Sequence, residues 1–180
     1  STNTLGFTST GGNLNLHSSR SYLAGNAGAV NFSAPTINVD ANVKSDTGAD
    51  TSTITLTTAQ LNLDKVTTFE TAATTGTGIT IRSSGGNLDV NLNGPDTNLT
   101  TAGAGVTLIN TTAGRDITVN GAAGTKLQTN GTGTFDVAVR DGNLNNNTTL
   151  SSDGALLVEG RNGAGLANIT FYNSGNYWAE

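Results

Sequence analysis

Carboxylates are the residues of this chain most able to do chemistry, and four of them recur about 25 residues apart: Asp64, Asp89, Asp116 and Asp141. Many carbohydrate-cleaving proteins use clustered carboxylates as general acid, general base or metal ligands. Relative to the first residue of the neighbouring apolar run, however, these four lie three after, one after, one before and three before. Such different offsets predict that they lie apart in turns rather than converging on a catalytic site.

The other candidates for catalysis or metal binding are isolated. His17 is the only histidine and cysteine is absent, which excludes a multi-histidine metal site, a thiolate zinc site and a cysteine nucleophile. Asp40, Asp46 and Asp50 share one loop and could offer oxygen ligands to calcium, although without EF-hand spacing. We therefore assign no catalytic residue, no cofactor and no metal site, and we leave calcium binding open.

The composition is typical of a β-rich structural chain. Thr, Gly and Asn make up 79 of the 180 residues, whereas 12% are charged and 34% are hydrophobic. Eight basic residues and a net charge of −5 argue against nucleic-acid binding. No apolar run approaches the roughly 20 residues that span a bilayer, so membrane insertion is not expected. The lack of cysteine is compatible with export, and we expect an extracellular or cell-surface protein.

Short alternating apolar pairs recur along the whole chain with a period of about 25 residues. Alternation at every second residue is typical of a β-strand with one buried face. The pairs fall into three families, which predict three strands per repeat. The first members of the three families are Leu5, Val30, Ile54, Ile79, Val106, Phe135 and Leu156; Leu14, Ile37, Leu61, Leu88, Ile117, Leu144 and Ile169; and Leu23, Val43, Val66, Leu99, Leu127, Leu150 and Tyr177.

This three-strand repeat predicts an all-β fold, a right-handed parallel β-helix (β-solenoid) of about seven coils with three short strands per coil. Residues 1–180 are expected to form a single β-solenoid domain without helices. The handedness follows from the general preference of parallel crossovers. An antiparallel β-sandwich is the alternative, but it does not account for a three-strand pattern that repeats seven times.

The outward residue of each strand should form rows along the stack. On the first face, the row predicted is Asn31, Thr55, Thr80, Thr107, Ala138 and Leu157; on the second, it is Asn15, Asn38, Asn62, Asp89, Thr118 and Thr170. Stacked amides and hydroxyls can hydrogen-bond along such rows, which is a structural role. The outer threonine row of Thr55, Thr80 and Thr107 also suggests an ice-binding plane, but the pattern breaks after three coils.

The two ends of the stack are apolar. Leu5 and Phe7 lie in the first coil, and the last ten residues contain Tyr172, Tyr177 and Trp178. The aromatic residues of the last coil could cap the apolar column, contact a sugar ring or contact the next subunit, and Leu5 and Phe7 could likewise take part in self-association or ligand contact. An open solenoid end is an unpaired sheet edge, so we expect end-to-end association of copies or a solenoid that continues beyond these residues.

Several segments resemble the repeats of large bacterial surface exoproteins. The resemblance is carried by 28–41 (GAVNFSAPTINVDA), 53–57 (TITLT) and 113–121 (AGRDITVNG). The family they are similar to is that of the filamentous-haemagglutinin-like adhesins of two-partner secretion. That resemblance implies a right-handed β-helix that holds adhesive tips away from the cell. The Asn-Pro-Asn-Gly type motif of the secretion domain is absent from these residues, so no functional residue is carried over.

Together these observations predict a non-enzymatic, extracellular structural or adhesive β-solenoid, either an adhesin shaft segment or a self-assembling filament subunit. Its expected partners are other copies of itself, or glycans and proteins of a host or cell surface. The alternative is a carbohydrate-binding or carbohydrate-cleaving β-helix like a phage tail fibre or a polysaccharide lyase. An ice-binding solenoid is a minor alternative.

Overall fold

The molecule is a stack of triangular coils, seen in a computed structural model that describes residues 4–18, 21–25, 28–45, 52–65, 67–94, 96–162, 165–166 and 176–179. These residues form 21 strands and no helix, as the sequence predicted. Successive strands of one coil belong to three different sheets, and each strand pairs in parallel with its counterparts in the neighbouring coils. The β-solenoid prediction is therefore confirmed.

The first sheet contains the first strand of every coil. Its strands are β1 (Thr4–Thr8), β4 (Ala29–Ser33), β7 (Thr53–Thr58), β10 (Thr77–Ser83), β13 (Gly105–Asn110), β16 (Phe135–Arg140) and β19 (Leu156–Asn162), followed by β20 (Gly165–Leu166). All pair in parallel except β20, which runs antiparallel to the end of β19. The predicted first family is correct at every step from Leu5 to Leu156.

The second and third sheets contain the other two strands of each coil. The second consists of β2 (Asn13–Leu16), β5 (Thr36–Val39), β8 (Gln60–Leu63), β11 (Leu88–Leu92), β14 (Ile117–Gly121) and β17 (Leu144–Asn146). The third consists of β3 (Tyr22–Ala24), β6 (Val43–Ser45), β9 (Thr67–Thr71), β12 (Asp96–Thr101), β15 (Lys126–Asn130), β18 (Thr149–Ser152) and β21 (Asn176–Ala179). Six coils are complete in the described residues, and β19 and β21 belong to a seventh, so the prediction of about seven coils is slightly high.

The predicted register of the second sheet is wrong at one step. Leu61 pairs with Val90, not with Leu88 as predicted, whereas Leu88 pairs with Ile117 and Ile117 with Leu144 as predicted. The strand β11 has three inward apolar residues and β8 has two. The last two of β11 are the ones that pair with those of β8. Ile169 lies outside the described residues.

The third family is mostly wrong. Tyr22, not Leu23, pairs with Val43, and Val43 pairs with Phe69. Leu99 pairs with Thr129, so inward threonines replace apolar residues in part of this column. The last steps, Leu127 to Leu150 and Leu150 to Tyr177, are as predicted. Val66 lies outside the described residues.

The interior is an apolar column with polar residues at its corners. Inward residues of the strands, such as Ile37, Leu56 and Ile117, are fully buried. Buried polar side chains bond the backbone where the chain turns between sheets: Asn110 Nδ2 donates to Gly86 O (2.9 Å), and Thr101 Oγ1 donates to Ala104 O (2.6 Å). These bonds satisfy backbone groups that have no ladder partner, which explains how a chain so rich in Thr and Asn folds.

The corners also require close approach of successive coils. Gly133 lies where the chain turns from the third sheet to the first, and a Cβ atom there would overlap the carbonyl of Ala104 in the coil before. Only glycine leaves room for that backbone contact. The stacking of coils therefore fixes the position of this turn.

Candidate functional site

The outward face of the second sheet carries a continuous ladder of side-chain amides. The asparagine ladder consists of Asn15, Asn38, Asn62, Asn91, Asn120 and Asn147. Each Nδ2 donates to the Oδ1 of the asparagine one coil earlier, at 2.6, 2.7, 2.8, 3.1 and 2.9 Å in chain order. All five bonds point the same way along the axis, so the amide dipoles add.

The strands position these amides through their alternation. In β5, β8 and β11 the asparagine stands between two buried inward residues, and in β14 it follows the buried Val119, so its side chain points outward and is half-buried by its neighbours. Backbone pairing then brings each asparagine opposite the next, since Asn38 pairs with Asn62 and Asn62 with Asn91. The strand spacing of about 4.8 Å is one that an amide can bridge, because its donor and acceptor are different atoms.

The sequence prediction of this row is correct for its first three members only. From Asn62 the row continues to Asn91 and Asn120, not to Asp89 and Thr118. Thr170, the last predicted member, lies outside the described residues. Asn recurs three residues after Leu88 and three residues after Ile117, at the second outward position of β11 and of β14, and this recurrence was the sequence signal that could have shown how the row continues.

The threonine row lies on the first sheet as predicted. Thr55 pairs with Thr80 and Thr80 with Thr107, and all three are half-buried. The next residue of the row is Asp136, not Ala138 as predicted, because Thr107 pairs with Asp136. The adjacent row consists of Ser33, Thr57, Arg82, Ile109 and Ala138, and Ala138, predicted from the sequence to face outward, is only 1% exposed. Two parallel rows of threonine, the arrangement that would give a flat plane of methyl and hydroxyl groups, therefore do not form over these coils.

The first coil exposes apolar side chains. Leu5 packs against the core but is only partly buried, and Phe7 is 40% exposed. The Phe7 ring lies 5.6 Å from that of Phe32 and 6.2 Å from that of Tyr22, centroid to centroid. These contacts make a small aromatic cluster in the first coil, with geometries that favour aromatic pairs.

The predicted aromatic residues of the last coil are at the opposite end of the stack. The backbone of Tyr177 pairs with Leu150 and that of Trp178 with Ser151. Tyr172 lies outside the described residues. The two groups of terminal residues thus occupy different ends, as the repeat predicted.

The four recurring carboxylates do not form a cluster. Asp64 Oδ1 accepts a hydrogen bond from Asn93 Nδ2 (2.8 Å), and Asp116 Oδ1 accepts from the backbone N of Asn143 (2.8 Å). Asp89 lies on β11, and Asp141 is exposed in a turn with φ of 54°. Within the ranges that the structure describes, no three His, Cys, Asp or Glu residues come together as a metal site would require.

The remaining candidate residues of the sequence analysis are His17 and the aspartates of the loop 40–50. His17 is exposed directly after β2. Asp40 Oδ2 forms an ion pair with Lys65 Nζ at 3.0 Å, and Asp46 and Asp50 lie outside the described residues. No helix among the residues described has the length and apolarity needed to cross a bilayer.

A shallow trough of about 430 Å³ runs along the corner between the third and first sheets. Its lining residues include Thr107, Thr132, Thr134, Asp136 and Leu157, and Leu157 is 42% exposed. Hydroxyl, carboxylate and aliphatic groups are the mixture that can contact the polar edge and apolar face of a sugar.

Comparison of the chain with protein-family models, with characterised proteins and with solved structures finds no match. The fold defines the class of the protein, a three-sided parallel β-solenoid. The resemblance to filamentous-haemagglutinin-like repeats stays a prediction.

Proposed function

We propose that the chain is a non-enzymatic structural β-solenoid, a stiff shaft segment of an extracellular adhesive protein or a subunit of a larger assembly. The observation that carries this proposal is the asparagine ladder, which joins six successive coils along the axis through five side-chain hydrogen bonds. Its members lie outside the core at equivalent outward positions of successive coils. The interaction that the repeated asparagine makes there is the hydrogen bond to the next coil.

A shaft needs resistance to extension along its axis. Each boundary between complete coils is held by three parallel strand pairs around a closed triangle. Strand hydrogen bonds point along the axis, so an axial pull loads the bonds of all three sheets together. The ladder adds one amide bond to each of five boundaries. The composition, rich in Thr and Asn and free of Cys, supports an extracellular role.

Single-molecule stretching between handles at the two ends of the described coils tests the shaft. We expect wild type to resist an axial pull and to open in steps of about one coil. The triple variant Asn62→Ala, Asn91→Ala, Asn120→Ala should open at lower force, and the matched control Thr55→Val, Thr80→Val, Thr107→Val should behave as wild type. Equal opening forces for all three proteins would contradict the proposal that the ladder serves axial strength.

The enzymatic alternative is tested with the same preparation. We expect no cleavage of pectin, alginate or hyaluronan by wild type. Cleavage that disappears in Asp89→Asn or Asp116→Asn would replace the structural proposal by a catalytic one.

A second candidate function, glycan binding without cleavage, is favoured by the trough that contains Asp136 and Leu157. A glycan array with wild type and with Thr107→Val plus Leu157→Ser tests it. Binding that the double variant loses would support a carbohydrate-binding face on the shaft, whereas binding that is unchanged would exclude this trough as its location.

A further inference from the structure

The chain contains four asparagine–glycine steps, a pair of residues that can react with each other in water. The asparagines are Asn93, Asn120, Asn130 and Asn162. In such a step the backbone nitrogen of the glycine can attack the side-chain amide of the asparagine, because glycine has no side chain to block the approach. Since Gly163 lies outside the described residues, three steps can be compared in the structure.

Two groups control whether this reaction occurs in a folded protein. The N–H of the glycine must be free of other acceptors, and the asparagine must be able to turn its Cγ atom toward that nitrogen. A hydrogen bond to either group slows the reaction, because the bond has to open locally before the attack. The three steps differ in both respects.

The step Asn93–Gly94 is held at both groups. Gly94 N donates to Leu63 O of the preceding coil at 3.0 Å, so the nucleophile is already engaged. Asn93 Nδ2 donates to Asp64 Oδ1 at 2.8 Å, so the amide is fixed as well. This step should therefore react slowly in the folded chain.

The step Asn120–Gly121 is held by the asparagine ladder. Asn120 Nδ2 donates to Asn91 Oδ1 at 3.1 Å, and Asn120 Oδ1 accepts from Asn147 Nδ2 at 2.9 Å. Gly121 belongs to β14 and pairs with Leu92 of β11. Both atoms of the amide are thus restrained along the axis, and the ladder protects this step.

The step Asn130–Gly131 is held least. Asn130 is the last residue of β15, and Gly131 begins the turn that follows. Among the residues described, no acceptor takes a hydrogen bond from the N–H of Gly131. Asn130 Oδ1 accepts from Gln128 Nε2 at 2.8 Å, but Asn130 Nδ2 reaches Asn98 Oδ1 and Thr100 Oγ1 only at 3.4 Å, longer than a usual hydrogen bond. The nucleophile is free and the leaving nitrogen is weakly held.

The fold also requires the glycine of this step. Gly131 has a φ of 129°, in the positive region that favours glycine, and a Cβ atom there would lie 2.6 Å from Thr101 O in the preceding coil. A larger residue, which would slow the attack, therefore does not fit at this position. As long as residue 130 is asparagine, the reactive pair is built into the turn.

We propose that Asn130–Gly131 is a site of spontaneous deamidation in the folded protein. A bond forms between Gly131 N and Asn130 Cγ, the proton of that nitrogen passes through water to Nδ2, and Nδ2 leaves as ammonia. Water then opens the cyclic imide at one of its two carbonyls. Opening at Cγ gives aspartate. Opening at the main-chain carbonyl gives isoaspartate, in which the backbone runs through the former side chain.

Either product loosens the contact between β12 and β15. An aspartate at position 130 has no donor for Asn98 Oδ1 and adds a negative charge beside it. An isoaspartate adds one atom to the backbone immediately before Gly131, where the coils are in closest contact at Thr101 O. Deamidation thus weakens one particular boundary between coils as the protein ages, whatever the chain binds.

Peptide mapping by mass spectrometry after incubation at mildly alkaline pH tests the choice of site. In the folded protein we expect Asn130 to deamidate at least about ten-fold faster than Asn93 and Asn120. The same chain unfolded in urea is the matched control, because there the three steps should react at similar rates. Folded-state rates that are equal at the three steps, or faster at Asn93 or Asn120 than at Asn130, overturn the proposal.

The consequence for the boundary is tested by the variant Asn130→Asp, which reproduces the aspartate product without ageing. We expect hydrogen exchange of the backbone amides of β15 to be at least about three-fold faster than in wild type. The control Asn93→Asp adds the same charge at another corner and should leave β15 unchanged. Exchange in β15 that equals wild type in Asn130→Asp, or that is accelerated equally by Asn93→Asp, overturns the claim that deamidation loosens this boundary.

Discussion

The outward faces of the second and first sheets have the same backbone and different side-chain order. Both sheets pair their strands in parallel over at least six coils above a buried apolar column. On the second sheet, six asparagines hydrogen-bond in one line. On the first sheet, the corresponding row contains five residue types in seven coils: Gly6, Asn31, Thr55, Thr80, Thr107, Asp136 and Leu157.

The difference shows that strand pairing does not need an ordered outer row. The apolar column and backbone bonds hold the first sheet in register without one. The donor and the acceptor of an amide are different atoms, so identical amides on neighbouring strands can bond, whereas identically oriented threonine hydroxyls lie about 4.8 Å apart, the strand spacing, which is too far for a hydrogen bond. The asparagine ladder is therefore an addition to a sheet that is already specified, and its removal should cost less than damage to the column.

The largest effect is expected in the column beneath the second face. Ile117 is fully buried between Leu88 and Leu144, so Ile117→Asp places an uncompensated charge in the interior. We expect a loss of about 3–5 kcal/mol in the free energy of unfolding, a large share of the total. Denaturant unfolding measures it. The neighbouring outward variant Thr118→Asp is the control, and an equal loss there would contradict the assigned orientation of β14.

The second-largest effect is expected on the outward face of the second sheet, where it should exceed the effect of a matched change on the first sheet. Asn91 donates to Asn62 and accepts from Asn120, so Asn91→Ala removes two ladder bonds. We expect a loss of about 1 kcal/mol, because the site is half-buried and water replaces part of the bonding. Thr80→Val on the first face should change stability by less than about 0.5 kcal/mol. Equal losses in thermal and denaturant unfolding would remove the distinction between the faces.

The coupling energy between asparagines of neighbouring coils should be smaller than these losses, but it reports on the bond between the two side chains alone. In a double-mutant cycle of Asn62→Ala and Asn91→Ala, both single variants remove the same bond. We expect a coupling energy of at least about 0.5 kcal/mol. The cycle of Thr55→Val and Thr80→Val, also on adjacent rungs, should be additive. Additivity in the asparagine pair would show that the amides stabilise the coils independently rather than as a ladder.

The smallest effect is expected at a side-chain link on the first face. Arg82 Nε donates to Thr57 Oγ1 at 2.9 Å between exposed partners. Because water competes for this bond, Arg82→Gln should change the free energy of unfolding by no more than about 0.5 kcal/mol. A loss as large as that of Asn91→Ala would mean that the first face depends on side-chain bonds as much as the second.

The candidate site was predictable in part. Asn15, Asn38 and Asn62 follow from alternation and a steady interval of 23 and 24 residues. The later rungs were missed because the run Leu88, Val90, Leu92 offers two alignments with Leu61 and Leu63, and a shift of two residues leaves every side chain on its own face. The threonine row was correct up to Thr107, and failed at Asp136 through the same ambiguity.

By itself, the sequence determined the class of fold. Pairs of alternating apolar residues, with turn formers about every eight positions, indicate strands, and the recurrence of these strands in three families indicates three sheets. It also determined the first sheet, where one apolar column runs unbroken from Leu5 to Leu156. Only the tertiary structure decided the third sheet, where Thr129 pairs with Leu99. There, burial of hydroxyls at the corners makes threonine an interior residue, and hydrophobicity no longer marks which side of the strand faces in.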